Sequence, residues 1–330
     1  LCSASPNLKA PRLMGSFPAI LVATLPVFFI IGLGAWFRNI GWWPEEADRP
    51  LIRLVINVFY PCLIAHHVLG NPILKDMGNL AWSAGVGFTI PLVCFAIGLL
   101  VARLLGLKRG SGAHTFAVSS GIQNYGFLPI PIIAALFTGE EATRLLGILF
   151  MHNLGLEIAV WTIGVALLRG NMGNPCKHLV NTPIVTIVVC TVLTLTETTQ
   201  LIPAPFHGAF DLLGNAAIPI SLFLVGASLC SVHGETEWRN TWKTPLAACG
   251  LRFLVFPGIF LAAALMLPIN IELQRNLIIQ GTMPAGAFVV VLARHYGGHA
   301  STAGQIVIAT SLVGLVAIPT LLTLGFRWIH

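Results

Sequence analysis

A chain of 330 residues that is 56% hydrophobic and only 9% charged has too few charged side chains for a soluble surface, where roughly 25% is usual. Its formal net charge of +6 comes from basic residues scattered singly between apolar runs, which argues against a nucleic-acid-binding face built from clustered Lys and Arg. The seven cysteines form no CxxC or CxxxC pair and lie mostly in apolar segments, so neither a disulfide framework nor a metal site is expected.

In chain order, residues 1–16 read as a short N-terminal tail carrying Lys9 and Arg12, without a cleavable signal pattern. A spanning helix needs about 20 mostly apolar residues. Ten stretches meet that measure, roughly 17–38, 50–69, 82–105, 113–137, 143–168, 179–200, 207–230, 244–268, 275–296 and 302–327. The expected fold is an all-α membrane protein of ten transmembrane helices with short connections. The polar stretch 169–178 divides it into a first half at 17–168 and a second at 179–330.

Orientation follows from the bias of Lys and Arg toward cytoplasmic loops. One side holds Arg38, Arg49, Arg53, Arg103, Lys108, Arg109, Arg169, Lys177, Arg239, Lys243, Arg252 and Arg294. The other, with both termini, holds Lys9, Arg12, Lys75, Arg144, Arg275 and Arg327. Twelve against six places both termini outside the cytoplasm, and the plasma membrane is the expected location.

The halves repeat one another. Asn57-Val-Phe-Tyr-Pro61 matches Asn215-Ala-Ala-Ile-Pro219, and Ala135-Leu-Phe-Thr-Gly-Glu-Glu-Ala142 matches Ala293-Arg-His-Tyr-Gly-Gly-His-Ala300, both at an offset of 158. A shift of five spans is odd, so the two five-helix repeats must be inverted in the membrane, an architecture of secondary transporters.

The fourth span carries the strongest signal. Gly121, Gln123, Asn124, Gly126, Pro129 and Pro131 sit inside an apolar run, and proline forces the helix to break. Lipid cannot satisfy the freed backbone groups, so such a break requires cover from protein or a water-filled cavity. Half-helix N-termini at a break suit an anionic ligand. Gln123, Asn124, Tyr125, Pro129 and Pro131 are therefore candidate substrate contacts. The ninth span has Gly281-Thr282-Met283-Pro284-Ala285-Gly286 at the equivalent depth, and two broken helices there are expected to cross and form one site with Met283 and Pro284. The repeat places Pro284 opposite Gly126 and Val289 opposite Pro131.

Asn57 and Asn215 each precede a proline by one turn and can bond the carbonyl that the proline frees, a structural role, with ligand contact as the alternative. Glu157 is an intramembrane carboxylate, a functional candidate by default. With His152 and Asn153 just before it, it is the candidate site for a coupling H+ or Na+. Asp211 lies near an interface. Arg252 is expected either to pair with a carboxylate or to snorkel to the surface. No HExxH, no GxSxG and no paired intramembrane aspartates are present, so an enzyme is not expected.

Three segments together, Asn124-Tyr-Gly-Phe-Leu-Pro-Ile-Pro131, Ile218-Pro-Ile-Ser-Leu-Phe-Leu-Val-Gly226 and Met283-Pro-Ala-Gly-Ala-Phe-Val-Val-Val-Leu-Ala-Arg-His-Tyr296, resemble the auxin efflux carrier family. It includes the plant PIN-type carriers and bacterial permeases for malonate and similar acids, and the resemblance runs from about residue 17 to 327. It implies a homodimer with crossing helices four and nine. Helices one, two, six and seven would form a scaffold, with helices three to five and eight to ten moving as an elevator. It also implies a substrate carboxylate near Asn124 and Pro131, with Asn181 as a second site asparagine. Plant carriers usually have a proline where Val289 stands and a serine where Ile64 stands, so the auxin pocket is not fully reproduced. The expected function is secondary transport of small organic anions, carboxylates above all. The alternatives are a sodium-coupled carrier of bile-acid type, and a channel or receptor keeping the same fold.

Overall fold

The computed structural model describes residues 17–108, 112–170, 180–235 and 242–329. The N-terminal tail, nearly all of the central stretch 169–178, and Arg109, Lys177 and Arg239 of the charge count lie outside them. Among the described residues the fold is all-helical. Seven helices are long and apolar enough to cross a membrane. They are α1 (Phe17–Asn39), α2 (Glu45–Val68), α3 (Met77–Leu104), α6 (Gly139–Arg169), α8 (Ala204–Glu235), α9 (Lys243–Met266) and α12 (Ala300–Phe326). A shorter apolar helix, α7 (Thr182–Leu195), follows the central stretch. Two expected spans are each split in two: α4 (Ala113–Gly121) with α5 (Pro129–Leu136), and α10 (Ile271–Thr282) with α11 (Phe288–His295).

Several helices start before the apolar stretches predict, because a helix runs on through a polar first turn once it is capped. The Asp76 carboxylate accepts from Gly78 N at 2.7 Å and starts α3, while Asn270 Oδ1 accepts from Leu273 N at 2.8 Å and starts α10. Glu140 and Glu141 occupy the first turn of α6, where the helix dipole favours negative charge. Conversely, α7 stops at Leu195, short of the predicted 200. Glu197 there adopts φ +56° and reverses the chain.

Prolines explain two departures from regular helix. The π-helical stretches Val55–Phe59 and Leu251–Val255 end immediately before the dipeptides Tyr60-Pro61 and Phe256-Pro257. A missing proline N–H leaves a carbonyl without its usual partner, and a π-bulge redistributes the ladder. Asn57 does not bond the carbonyl freed by Pro61. Its amide donates to Arg53 O at 2.8 Å and accepts from Thr182 Oγ1 at 2.7 Å. Asn215 likewise donates to Asp211 Oδ1 at 2.7 Å, because that side-chain acceptor lies one turn below it on the same face.

Helices pack closely where glycine removes the side chain. A methyl group added at Gly34 of α1 would strike Phe223 O of α8, and one at Gly226 of α8 would strike Ile31 O of α1. Gly87 of α3 and Gly155 of α6 are related in the same reciprocal way, through His152 O and Ala84 O. Small residues are the usual means by which membrane helices approach, since apolar burial gives little drive in lipid. Further contacts join α2 to α7 and α8, α3 to α4, α9 to α10 and α12, α10 to α6 and α12, and α4 to α12.

Candidate functional site

The two interrupted helices meet at their interruptions. Residues 122–128 separate α4 from α5, and residues 283–287 separate α10 from α11. These unwound segments pair as an isolated antiparallel bridge between Gln123 and Ala285. Asn124 N donates to Pro284 O at 2.8 Å and Gly286 N donates to Ile122 O at 3.1 Å. Unwound backbone at membrane depth needs partners, and each break supplies them to the other. Gly286 is required by this approach, since a methyl group there would stand 3.0 Å from Gln123 O.

Partners in an antiparallel bridge change their separation by two per step, so the repeat offset of 158 is met at a single point, Tyr125 against Met283, two residues from the bridge between Gln123 and Ala285. The first break spans seven residues, 122–128, and the second five, 283–287.

A polar network extends from this crossing into α6. Tyr125 Oη donates to Glu157 Oε1 at 2.6 Å, and Trp161 Nε1 donates to Glu157 Oε2 at 2.6 Å. Tyr125 O accepts from Asn153 Nδ2 at 3.0 Å and from Gln280 Nε2 at 3.1 Å. Gln280 Nε2 also reaches Asn153 Oδ1 at 3.2 Å, and Gln123 Nε2 donates to Gln280 Oε1 at 3.4 Å. The carboxylate of Glu157 is thus held by two neutral donors, and no basic side chain pairs with it among the described residues. Asn124 is buried beside this network, and its side-chain amide makes no hydrogen bond among the described residues.

On the far side of the crossing lies Arg252, fully buried. Among the described residues it pairs with no carboxylate, and it does not reach the surface. Nε and Nη2 donate to Met283 O at 3.1 and 2.6 Å, and Nη1 donates to Ser120 O at 3.3 Å. The reason is geometric: α4 and α10 both end here, and last-turn carbonyls lack intrahelical donors.

Of the predicted contacts, the crossing gathers Gln123, Asn124, Tyr125, Met283 and Pro284, with Pro129 at the first residue of α5 and Pro131 in its first turn. Proline suits that position because its absent N–H would be unpaired there in any case. Asn181 serves as the cap of α7, its Oδ1 accepting from Ile184 N at 3.0 Å. Glu157 and Asn153 join the network, whereas both ring nitrogens of buried His152 lack partners among the described residues. A narrow apolar slot, too tight for water, adjoins Tyr60, Leu63, Phe127, Ile130 and Ser221. Gln280, Trp161 and the true bonding of Arg252 escape sequence reasoning. Gln280 had a signal, lying 157 positions from Gln123, one short of the repeat. No cluster of three His, Cys, Asp or Glu side chains suited to a metal occurs among the described residues.

A sequence model of one family, described as "Membrane transport protein", matches the chain twice, over residues 19–174 and 171–322. A protein described as an uncharacterized transporter from Methanothermobacter thermautotrophicus (strain Delta H) is 22% identical over 313 residues, covering 93% of this chain and 97% of that protein.

Proposed function

Because the chain belongs to the membrane transport protein family that matches both of its halves, we propose that it is a secondary transporter of small organic anions, carboxylates in particular. The observation that carries this reading is the stapled crossing with a buried, unbonded Asn124 amide beside it. The N-termini of α5 and α11 begin at the breaks, and two such ends supply partial positive charge for a carboxylate. Tyr125 shapes the wall and Asn124 orients the anion.

The ten-span inverted arrangement is part of the proposal. Carrying the first half onto the second takes α1 to α7, α2 to α8, α3 to α9 and α6 to α12. Under that exchange the α1–α8 contact becomes α7–α2, α3–α6 becomes α9–α12, and α4–α12 becomes α10–α6. Each of these contacts exists, which supports two repeats related by a pseudo-two-fold axis, and the odd number of spans per repeat in the proposed arrangement makes their orientations opposite. Grouping α1, α2, α7 and α8 as a scaffold leaves α3 to α6 and α9 to α12 around the crossing as the moving body, in a homodimer whose termini both lie outside the cytoplasm.

Glu157 is proposed as the coupling group. A buried carboxylate held by neutral donors alone sits beside a site for an anion, and like charges at short range repel strongly away from water. A proton carried on Glu157 removes that conflict. Uptake into proteoliposomes from a panel of short carboxylates tests the reading. Asn124→Ala should abolish saturable uptake, and Glu157→Gln should abolish its dependence on a pH gradient. Undiminished uptake by Asn124→Ala would falsify the site assignment.

A further inference from the structure

Arg252 presents a cation with no anion. It projects from the π-helical stretch of α9, is completely buried, and no carboxylate pairs with it among the described residues. An unanswered buried charge is costly, so something else must balance it. The carbonyls it binds, Ser120 O and Met283 O, close the C-terminal ends of α4 and α10. A helix C-terminus carries about half a negative charge, so two such ends together balance about one guanidinium. The Phe256 ring lies 5.5 Å from the guanidinium carbon and adds a π-face to the same cation.

In transporters with broken helices, half-helix C-terminal ends and unwound carbonyls are the groups that hold a coupling metal ion. Here those groups are already occupied. We propose that Arg252 is the resident cation of the crossing, taking the carbonyls and cancelling the helix-end charge that would otherwise bind Na+, so that no monovalent metal ion binds there and the protein works without sodium. This inference rests on the reading of the crossing as a transport site. It leaves the opposite ends, the N-termini of α5 and α11, as the unbalanced positive charge available to a substrate anion.

The test uses the full-length protein purified in detergent, needs no substrate, and reads thermal unfolding in NaCl against choline chloride of equal ionic strength. The wild type should unfold at the same temperature in both salts. Arg252→Ala should unfold roughly 5–10 °C lower, and tens of millimolar guanidinium chloride, far below denaturing levels, should restore much of the loss. Arg252→Lys should retain more stability than the uncharged, similarly long Arg252→Met, which covers the case in which the alanine variant does not fold. A sodium-specific rise for the wild type would overturn the proposal. So would a lysine variant no better than the methionine one, or an alanine variant that no small cation stabilises. Failure of carboxylate uptake in vesicles, with these results as expected, would instead strike the transport reading alone.

Discussion

The hydrogen bond from Tyr125 to Glu157 allows a quantitative test of whether the crossing is tied to α6 through an ionised group. Tyr125→Phe removes one hydroxyl without changing the ring that fills the space. The lost bond is short, 2.6 Å, and buried. A bond to a charged acceptor contributes about 1.5–3 kcal/mol, and its loss leaves Trp161 as the remaining donor to that carboxylate among the described residues. At about 2 °C per kcal/mol for a chain of this length, the variant should unfold roughly 3–6 °C lower. In a Glu157→Gln background the same bond is neutral and contributes only about 0.5–1.5 kcal/mol. The double-mutant cycle should therefore show a coupling of about 1–2 kcal/mol. Intrinsic tryptophan fluorescence in detergent at pH 8, scanned at several rates, is the assay. Strict additivity, with Tyr125→Phe costing the same in both backgrounds, would refute the claim that the hydroxyl holds an ionised carboxylate.

Three other outcomes follow from the packing, the caps and the exposed charges. Gly226→Ala forces a methyl group onto Ile31 O and should lower the unfolding temperature as overpacking does, by about 1–3 kcal/mol or more; Gly32→Ala, with nothing within 4 Å of the added carbon, should be neutral or stabilising by up to about 1 kcal/mol. Asn270→Ala removes both the cap of α10 and the 2.7 Å bond to Asn79 Oδ1, so its loss should exceed the roughly 1 kcal/mol of a cap alone, as read by thermal unfolding against Asn79→Ala. The Lys75 ammonium, hydrogen-bonded to Glu197 at 2.6 Å and bearing opposite charge, holds that carboxyl below its usual range. Its stabilising contribution is thus present at neutral pH and lost as pH falls through the depressed value, so the difference between wild type and Glu197→Gln should shrink on acidification and in high salt.

Much of the helix plan was legible because membrane spans are long apolar runs, and caps merely extend them. The break in the fourth span was legible for a different reason: Pro129, Pro131, Gln123 and Asn124 are all hostile to a lipid-facing helix. The register of the crossing was not. It depends on which backbone groups meet across two unwound segments, and a repeat offset names equivalent residues of the two halves rather than residues that face each other. Arg252 was misread because sequence shows the charge and not the carbonyls. A guanidinium normally finds a carboxylate or water, and only the meeting of two helix ends offers a third choice. Gln280 and Trp161 went unseen because a lone polar residue in an apolar run acquires its meaning from the helix it faces.

The reciprocal glycines of α1 and α8 also bear on how the protein is made. Gly34 belongs to the first half of the chain and its partner surface, Phe223, to the second. The carbonyl of Ser120 likewise waits for Arg252, which is 132 residues further along. A nascent chain that has delivered only the helices up to α6 thus holds an open seam along α1 and a break after α4 without its partner segment. Neither can close until translation has delivered α8, α9 and α10. The first half therefore lacks, on its own, the surface that Gly34 packs against and the donor that Ser120 O accepts from.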